Sequence, residues 1–181
     1  IIPRKALTLL KATLPSEVTN VAMEFNTSNA FFDFKRIKMI CRLIDERYPD
    51  YENVIPADIE NNVTIGKAEL LSSLKRIAIY ANKTTHQVRL KITGSELMIS
   101  SEDLDFSNEA NERLVCEHDG EDIEIGFNAK FLIEMLGNIS SDQLTFKLSA
   151  PNRAGLIEPS NKNENEDILM LVMPVMLNNY V

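Results

Sequence analysis

Basic residues occur in small groups along this chain, and each group sits on one side of a stretch with helical periodicity. In residues 4–14, Leu7, Leu10 and Leu14 share one face, while Arg4, Thr8 and Lys11 take the other, with Lys5 beside Arg4. In residues 67–81, Leu70, Leu74, Ile77 and Ala78 point inward, and Ser72, Ser73 and Arg76 point away, next to Lys75. In residues 128–136, Phe131, Leu132, Met135 and Leu136 form the apolar face and Lys130 stands outside it. No group holds enough charge to bind a polyanion tightly by counterion release. Helices turned towards a common axis would give a mildly positive lining. Taken singly, each is equally a solvated helix face.

Groups that could do covalent chemistry are sparse. Asp45–Glu46 and Glu102–Asp103 are adjacent carboxylates, but sequence neighbours on a strand point to opposite faces. His86 and His118 are isolated, and Cys41 and Cys116 match no metal-ligand spacing. There is no Gly-rich phosphate loop, no nucleophile elbow and no zincin helix, and the chain has only six glycines. The expectation is a non-enzymatic, cytoplasmic protein with reduced cysteines, no cofactor and no metal. No apolar run approaches the length of a membrane span. The net charge of −8 argues against a simple basic nucleic-acid binder, but it is unevenly spread. Residues 1–11 hold three bases and no acid; residues 102–112 hold five acids and no base.

The elements that position these groups repeat. After the helix at 4–14, alternating runs at 18–25, 30–35 and 37–43 read as strands, with a hairpin turn at 26–29. A second copy follows: a strand at 63–65, a break at Gly66, the helix at 67–81, then strands at 88–92, 97–101 and 106–116. The turn at 118–120 opens a third, with a strand at 123–125, a break at Gly126, the helix at 128–136, and strands at 144–148, 155–157 and 168–172. The order β-α-β-β-β thus starts near Ile2, Ile65 and Ile125, at a period of about sixty residues. Two copies can make one domain by joining their sheets and laying their helices side by side. The division expected is residues 1–58, half of a domain plus a connector, and residues 59–181, a whole one. The chain reads as a piece of a longer protein.

Two stretches stand outside this pattern. Residues 42–56, RLIDERYPDYENVIP, are bounded by Pro49 and Pro56 yet carry Tyr48, Tyr51, Val54 and Ile55, too apolar for a loose linker. They read as an ordered connector packed on something, the best candidate being the apolar tail at 169–177. In that tail Pro174 must end strand pairing, which leaves Val175, Met176 and Leu177 near the surface. Methionine-rich apolar edges adapt to varied partners. The tail is read equally as a buried core strand and as a partner groove.

RLIDERYPDYENVIP, together with IIPRKALTLL, VTIGKAELLSSLKRIAI, EIGFNAKFLIEML and the closing LVMPV, resembles the bacterial DNA sliding clamp family over essentially the whole chain. The resemblance implies an α+β DNA-clamp fold with helices on the inner face and antiparallel sheets outside. It implies a processivity factor that encircles double-stranded DNA without sequence preference. Through short peptide motifs, in which a glutamine precedes a leucine/phenylalanine pair, such a factor tethers polymerase subunits, the clamp loader and repair proteins. Carried over by position, the peptide groove includes Pro49, Asn53, Val54, Arg153, Ala154, Val172, Met173, Pro174, Val175, Met176 and Leu177. The DNA-facing residues are Arg4, Lys5, Lys11, Lys75, Arg76 and Lys130, and Leu70 falls at a subunit joint. Asn53 and Met176 stand where relatives often carry a basic residue, which implies a more neutral groove. Asn178 to Val181 extend past the usual end and could shade it. The resemblance implies a homodimeric ring for the whole protein but no ring from this chain. A peptide-binding scaffold unrelated to DNA is the alternative reading.

Overall fold

The computed structural model describes residues 1–17, 20–161 and 164–177. These fall into two compact units, Ile1–Asp50 and Tyr51–Val181. Among the described residues no helix is long and apolar enough to cross a membrane.

In the first unit, Pro3 sits in extended backbone ahead of α1 (Arg4–Thr13) and its carbonyl receives the N–H groups of Ala6 and Leu7. A residue that lacks an N–H is well placed at a helix start, where that donor has no partner in any case. The strands β1 (Ala22–Phe25), β2 (Asn29–Phe34) and β3 (Ile37–Arg42) form an antiparallel meander. Asn26 makes the first turn by accepting the N–H groups of Ser28 and Asn29 at 2.9 and 2.7 Å. Ala30, Phe32 and Phe34 are buried, with Ile2, Leu10, Leu14, Met39 and Cys41 packed against them. Two expectations fail here. Residues 1 and 2 form no strand, and Leu7 is exposed. Leu14 lies past the helix end in extended backbone, so its burial does not follow helical spacing. Ile2, Leu10 and Leu14 cover the narrow apolar strip of the sheet, and Leu7 is left outside it.

The second unit opens with a 3-10 turn, Glu52–Val54. In the connector stretch Ile55 is half-buried and Pro56 buried, while Tyr48, Tyr51 and Val54 are exposed. One repeat supplies β4 (Asn61–Gly66), α2 (Lys67–Ile77), β5 (Gln87–Thr93), β6 (Glu96–Asp103) and β7 (Asn108–Val115). After β8 (Glu117–Asp119), the other supplies β9 (Ile123–Asn128), α3 (Ala129–Gly137), β10 (Gln143–Leu148), β11 (Gly155–Pro159) and β12 (Met170–Val172). The repeats exchange their first strands. β4 pairs with β10 and β9 pairs with β5, giving sheets ordered β12-β11-β10-β4-β8 and β7-β6-β5-β9, antiparallel throughout. Residues 118–120 read as a turn from residue type, yet His118 aligns with Val63 and Glu117–Asp119 form a fifth strand. Gly126 does not break a strand; it lies inside β9.

The helices α2 and α3 pack side by side, as the repeat predicts. Lys67 Nζ donates to the Ile139 carbonyl at 2.7 Å, which ties the start of α2 to the end of α3 and makes the pair antiparallel. The buried arc of α2 is Leu70, Ser73, Leu74 and Ile77, at i, i+3, i+4 and i+7. Ser73 therefore faces inward by spacing although its type suggests otherwise. On α3 the buried residues are Ala129, Leu132 and Leu136, and Phe131 is exposed. Both helices cover a single core with Ile65, Leu90, Ile99, Ile125 and Phe127 of the sheets. Leu74→Ala leaves a cavity in that core and should cost about 2–5 kcal/mol in urea unfolding, whereas Leu9→Ala, on the exposed side of α1, should stay within about 0.5 kcal/mol.

Candidate functional site

Two kinds of surface are built on this frame. The first is cationic. Arg4, Lys5 and Lys11 are exposed on α1. Lys75 and Arg76 occupy the last turn of α2, and Lys130 the first turn of α3, all exposed. The antiparallel packing sets these ends of the two helices next to each other. Asn128 fixes the start of α3 by accepting the N–H groups of Lys130 and Phe131, while its amide donates to the Thr85 carbonyl at 3.0 Å. Arg76 is held differently from the rest. Its Nε and Nη2 donate to the two carboxylate oxygens of Glu112 on β7, at 2.7 and 2.6 Å. The guanidinium holds the Glu112 carboxyl below the ordinary carboxylate range, and the same bond raises Arg76. One of the six predicted DNA-facing cations is thus already paired.

The second surface is the apolar tail. β12 ends at Val172, which pairs with Gly155 at the start of β11. That register brings Arg153 and Ala154 beside the point where the tail leaves the sheet. Ala154 is buried; Arg153 is exposed, in a turn closed by its N–H to the Ala150 carbonyl at 3.0 Å. Pro174 stops the ladder, and the chain then crosses to the other sheet, where the Val175 N–H donates to the Gly126 carbonyl at 2.8 Å. Val175 and Leu177 are half-buried, while Met173 and Met176 are exposed. Of the predicted groove residues, Arg153, Ala154 and 172–177 come together here. Asn53 and Val54 lie on the 3-10 turn of the same unit, and Pro49 belongs to the first unit. The expectation for Asn178 to Val181 lies outside the described residues. Among the described residues no group of three His, Cys, Asp or Glu side chains is placed to hold a metal ion.

Leu70 is a correction. It is 0% exposed in the core of the second unit and offers nothing to a partner. Helical spacing puts it in the arc with Leu74 and Ile77, which the sheets cover. Exposed large apolar residues include Ile79 (66%) and Tyr80 (43%) beyond the helix end, and Leu104 (63%) and Phe106 (68%) in the turn after β6. The link between them is polar and local. Ser101 Oγ donates to the Ile77 carbonyl at 2.8 Å, and Asn82 Nδ2 donates to Asp103 Oδ1 at 3.4 Å, which ties the segment after α2 to the turn after β6. Sequence reasoning missed this patch by running the helix to Ala81 and counting Leu104 and Phe106 within an acidic run. The signal available was four large apolar residues flanking two tight turns.

The family profile described as DNA polymerase III beta subunit, C-terminal domain, matches residues 52–176, nearly the whole second unit. The chain belongs to the DNA polymerase III beta subunit family. A beta sliding clamp of Pseudomonas aeruginosa is 29% identical over 177 residues, which is 98% of this chain and 47% of that protein. A beta sliding clamp of Vibrio cholerae is 29% identical over 178 residues, with the same two coverages. The chain thus spans about half the length of the curated relatives it matches. A crystal structure of the Pseudomonas aeruginosa clamp with ligand superposes with a TM-score of 0.91 at 29% identity, covering 98% of this chain and 47% of that one. A Bartonella birtlesii clamp bound to griselimycin gives 0.86 at 29%, with the same coverages. The α+β clamp fold of this family is the fold described above.

The Arg76–Glu112 pair makes stability depend on pH. A carboxylate held low in the folded state adds stability above its unfolded pKa and loses it as pH falls through the folded value. Glu112→Gln should therefore lower the urea midpoint at pH 7, and the gap from the parent should close below about pH 4. A gap that persists unchanged to pH 2.5 would show that the charge on Glu112 does not matter.

Proposed function

We propose that this chain is the portion of a sliding clamp that carries the peptide-binding tail, and that the whole protein is a processivity factor. In that reading residues 1–58 complete a middle domain and connector, and residues 59–181 are the last domain. The whole protein encircles double-stranded DNA as a cytoplasmic homodimeric ring and carries out no catalytic step. Arg4, Lys5, Lys11, Lys75 and Lys130 supply weak phosphate contacts, which suit sliding because topology rather than affinity retains the DNA. The pairing of Arg76 with Glu112 lightens that contact further. Polymerase subunits, the clamp loader and repair proteins dock through short peptides against Arg153, Ala154 and residues 172–177. The joint between subunits falls on Ile79, Tyr80, Leu104 and Phe106, in place of Leu70.

The observation that carries the peptide half is the tail, which leaves its sheet at Pro174, is held by a backbone bond at Val175, and keeps Met173 and Met176 exposed. A free apolar chain end would fray, and a core strand would hide its methionines. A labelled peptide with glutamine ahead of a leucine/phenylalanine pair should bind, and Met173→Ala with Val175→Asp should weaken it by at least about tenfold, or 1.4 kcal/mol. If the folded chain and the full-length parent both leave the peptide unbound, the groove assignment fails. Binding by the parent alone would assign an essential wall to residues outside this chain. A parent protein that binds the peptide but slips from closed circular DNA would favour a scaffold without a DNA role.

For the joint, Ile79→Asp with Tyr80→Asp should shift the full-length parent from dimer to monomer in light scattering while its far-UV circular dichroism stays that of the folded chain. A dimer that survives this change would remove the patch from the subunit contact.

A further inference from the structure

We propose that Gly126 is the seat of the tail: it is the residue whose missing side chain fixes where residues 173–177 run, and so where the wall of the peptide site stands. The functional half of this inference rests on the reading of the tail as a peptide site; the structural half does not.

Glycine inside a strand needs an explanation, because it adds no packing and leaves the backbone loose. Gly126 lies within β9, aligned with Arg89 of β5 on one edge. Its neighbours Ile125 and Phe127 are both fully buried. Its backbone does not need glycine, since positive φ among the glycines is confined to Gly94 and Gly120. Space explains it. On the other edge of β9 the tail passes so closely that a Cβ at Gly126 would run into the Val175 carbonyl oxygen and come within 2.8 Å of Leu177 Cδ2. The Val175 N–H to Gly126 carbonyl bond, at 2.8 Å, anchors the same crossing.

Gly120 is also crowded by backbone, that of Glu60 and Asn61, but its positive φ already calls for glycine, and three other glycines of the unit differ. A Cβ at Gly66 would meet only the flexible end of Glu69, at 3.9 Å, and one at Gly137 would meet nothing within 4 Å. Gly155 is crowded by the side chains of Leu148 and Phe127, which can adjust. At Gly126 the obstacle is backbone, and a carbonyl oxygen gives way only if the tail itself moves. Any larger residue must therefore lift the tail from β9 and carry Met173 and Met176 with it. Gly126 touches no ligand in this account. It acts as a positioning residue.

Amide hydrogen exchange read by NMR tests the seating directly. In the unaltered chain the Val175 amide should exchange at least about tenfold more slowly than in an unfolded chain of the same sequence. In Gly126→Ala that protection should be lost while the amides of β5 keep theirs, and Gly137→Ala should change neither. A Val175 amide that is unprotected in the parent chain, or that stays protected in Gly126→Ala, overturns the seating. An unprotected Val175 amide in the parent chain overturns the seating whether or not Gly126→Ala folds. The same variants are then titrated with the labelled peptide. Affinity reduced about tenfold or more in Gly126→Ala and unchanged in Gly137→Ala supports the role in the site; equal affinity in both overturns it. If the parent chain binds no peptide, the peptide-site reading fails and the exchange result still stands.

Discussion

The second unit is held together by a reciprocal loan. Each repeat gives its first strand to the sheet of the other, β4 to β10 and β9 to β5, so neither repeat can satisfy its backbone alone. An unpaired edge strand is a row of unmet donors and acceptors, and this exchange supplies partners at both sites. It also brings α2 and α3 alongside each other, because each helix follows a lent strand directly: Gly66 leads into Lys67 and Asn128 into Ala129. The core under the helices, the shared end where Lys75 and Lys130 stand, and the edge of β9 that receives the tail are all consequences of that pairing.

Electrostatics and apolar exposure are sorted onto different parts of this frame. The helices carry most of the cations proposed to meet phosphate, whereas the run after β6 gathers acids around the exposed Leu104 and Phe106. Surface charge of this kind adds little to stability and acts mainly on which partners approach. Arg76 is the exception, since its bidentate contact with Glu112 ties a helix to a strand. The tail carries no charged side chain between Val172 and Leu177, so the surface it offers is one of shape and apolar contact.

Much of this was legible in the sequence. The helix starts expected near residues 4 and 128 and the turn at 26–29 depend on interactions confined to a few neighbouring residues, and the structure has each within one residue of its expected position. The repeat order was readable because each copy repeats the same local signals. What periodicity does not report is the identity of the opposing surface. Ser73 is buried and Phe131 exposed because of what packs on α2 and α3, and Leu7 is exposed because its sheet is narrow. The strand exchange, the fifth strand at Glu117–Asp119 and the close passage at Gly126 depend on residues more than thirty positions apart. Such contacts leave almost no trace in a local pattern. Leu70 shows the converse: helical spacing alone puts it in the inward arc with Leu74 and Ile77, where the structure buries it, and a joint position carried over from the family does not.

The exchanged strands also bear on how the unit can be divided. The link between the two lending segments runs through the exposed residues 120–122, just before β9. Severing the backbone there would leave an amino-terminal piece lacking the partner of β5 and a carboxy-terminal piece lacking the partner of β10. Each fragment would hold the one strand that the other needs. Complementation, rather than independent folding, would be the only route back to the native sheets.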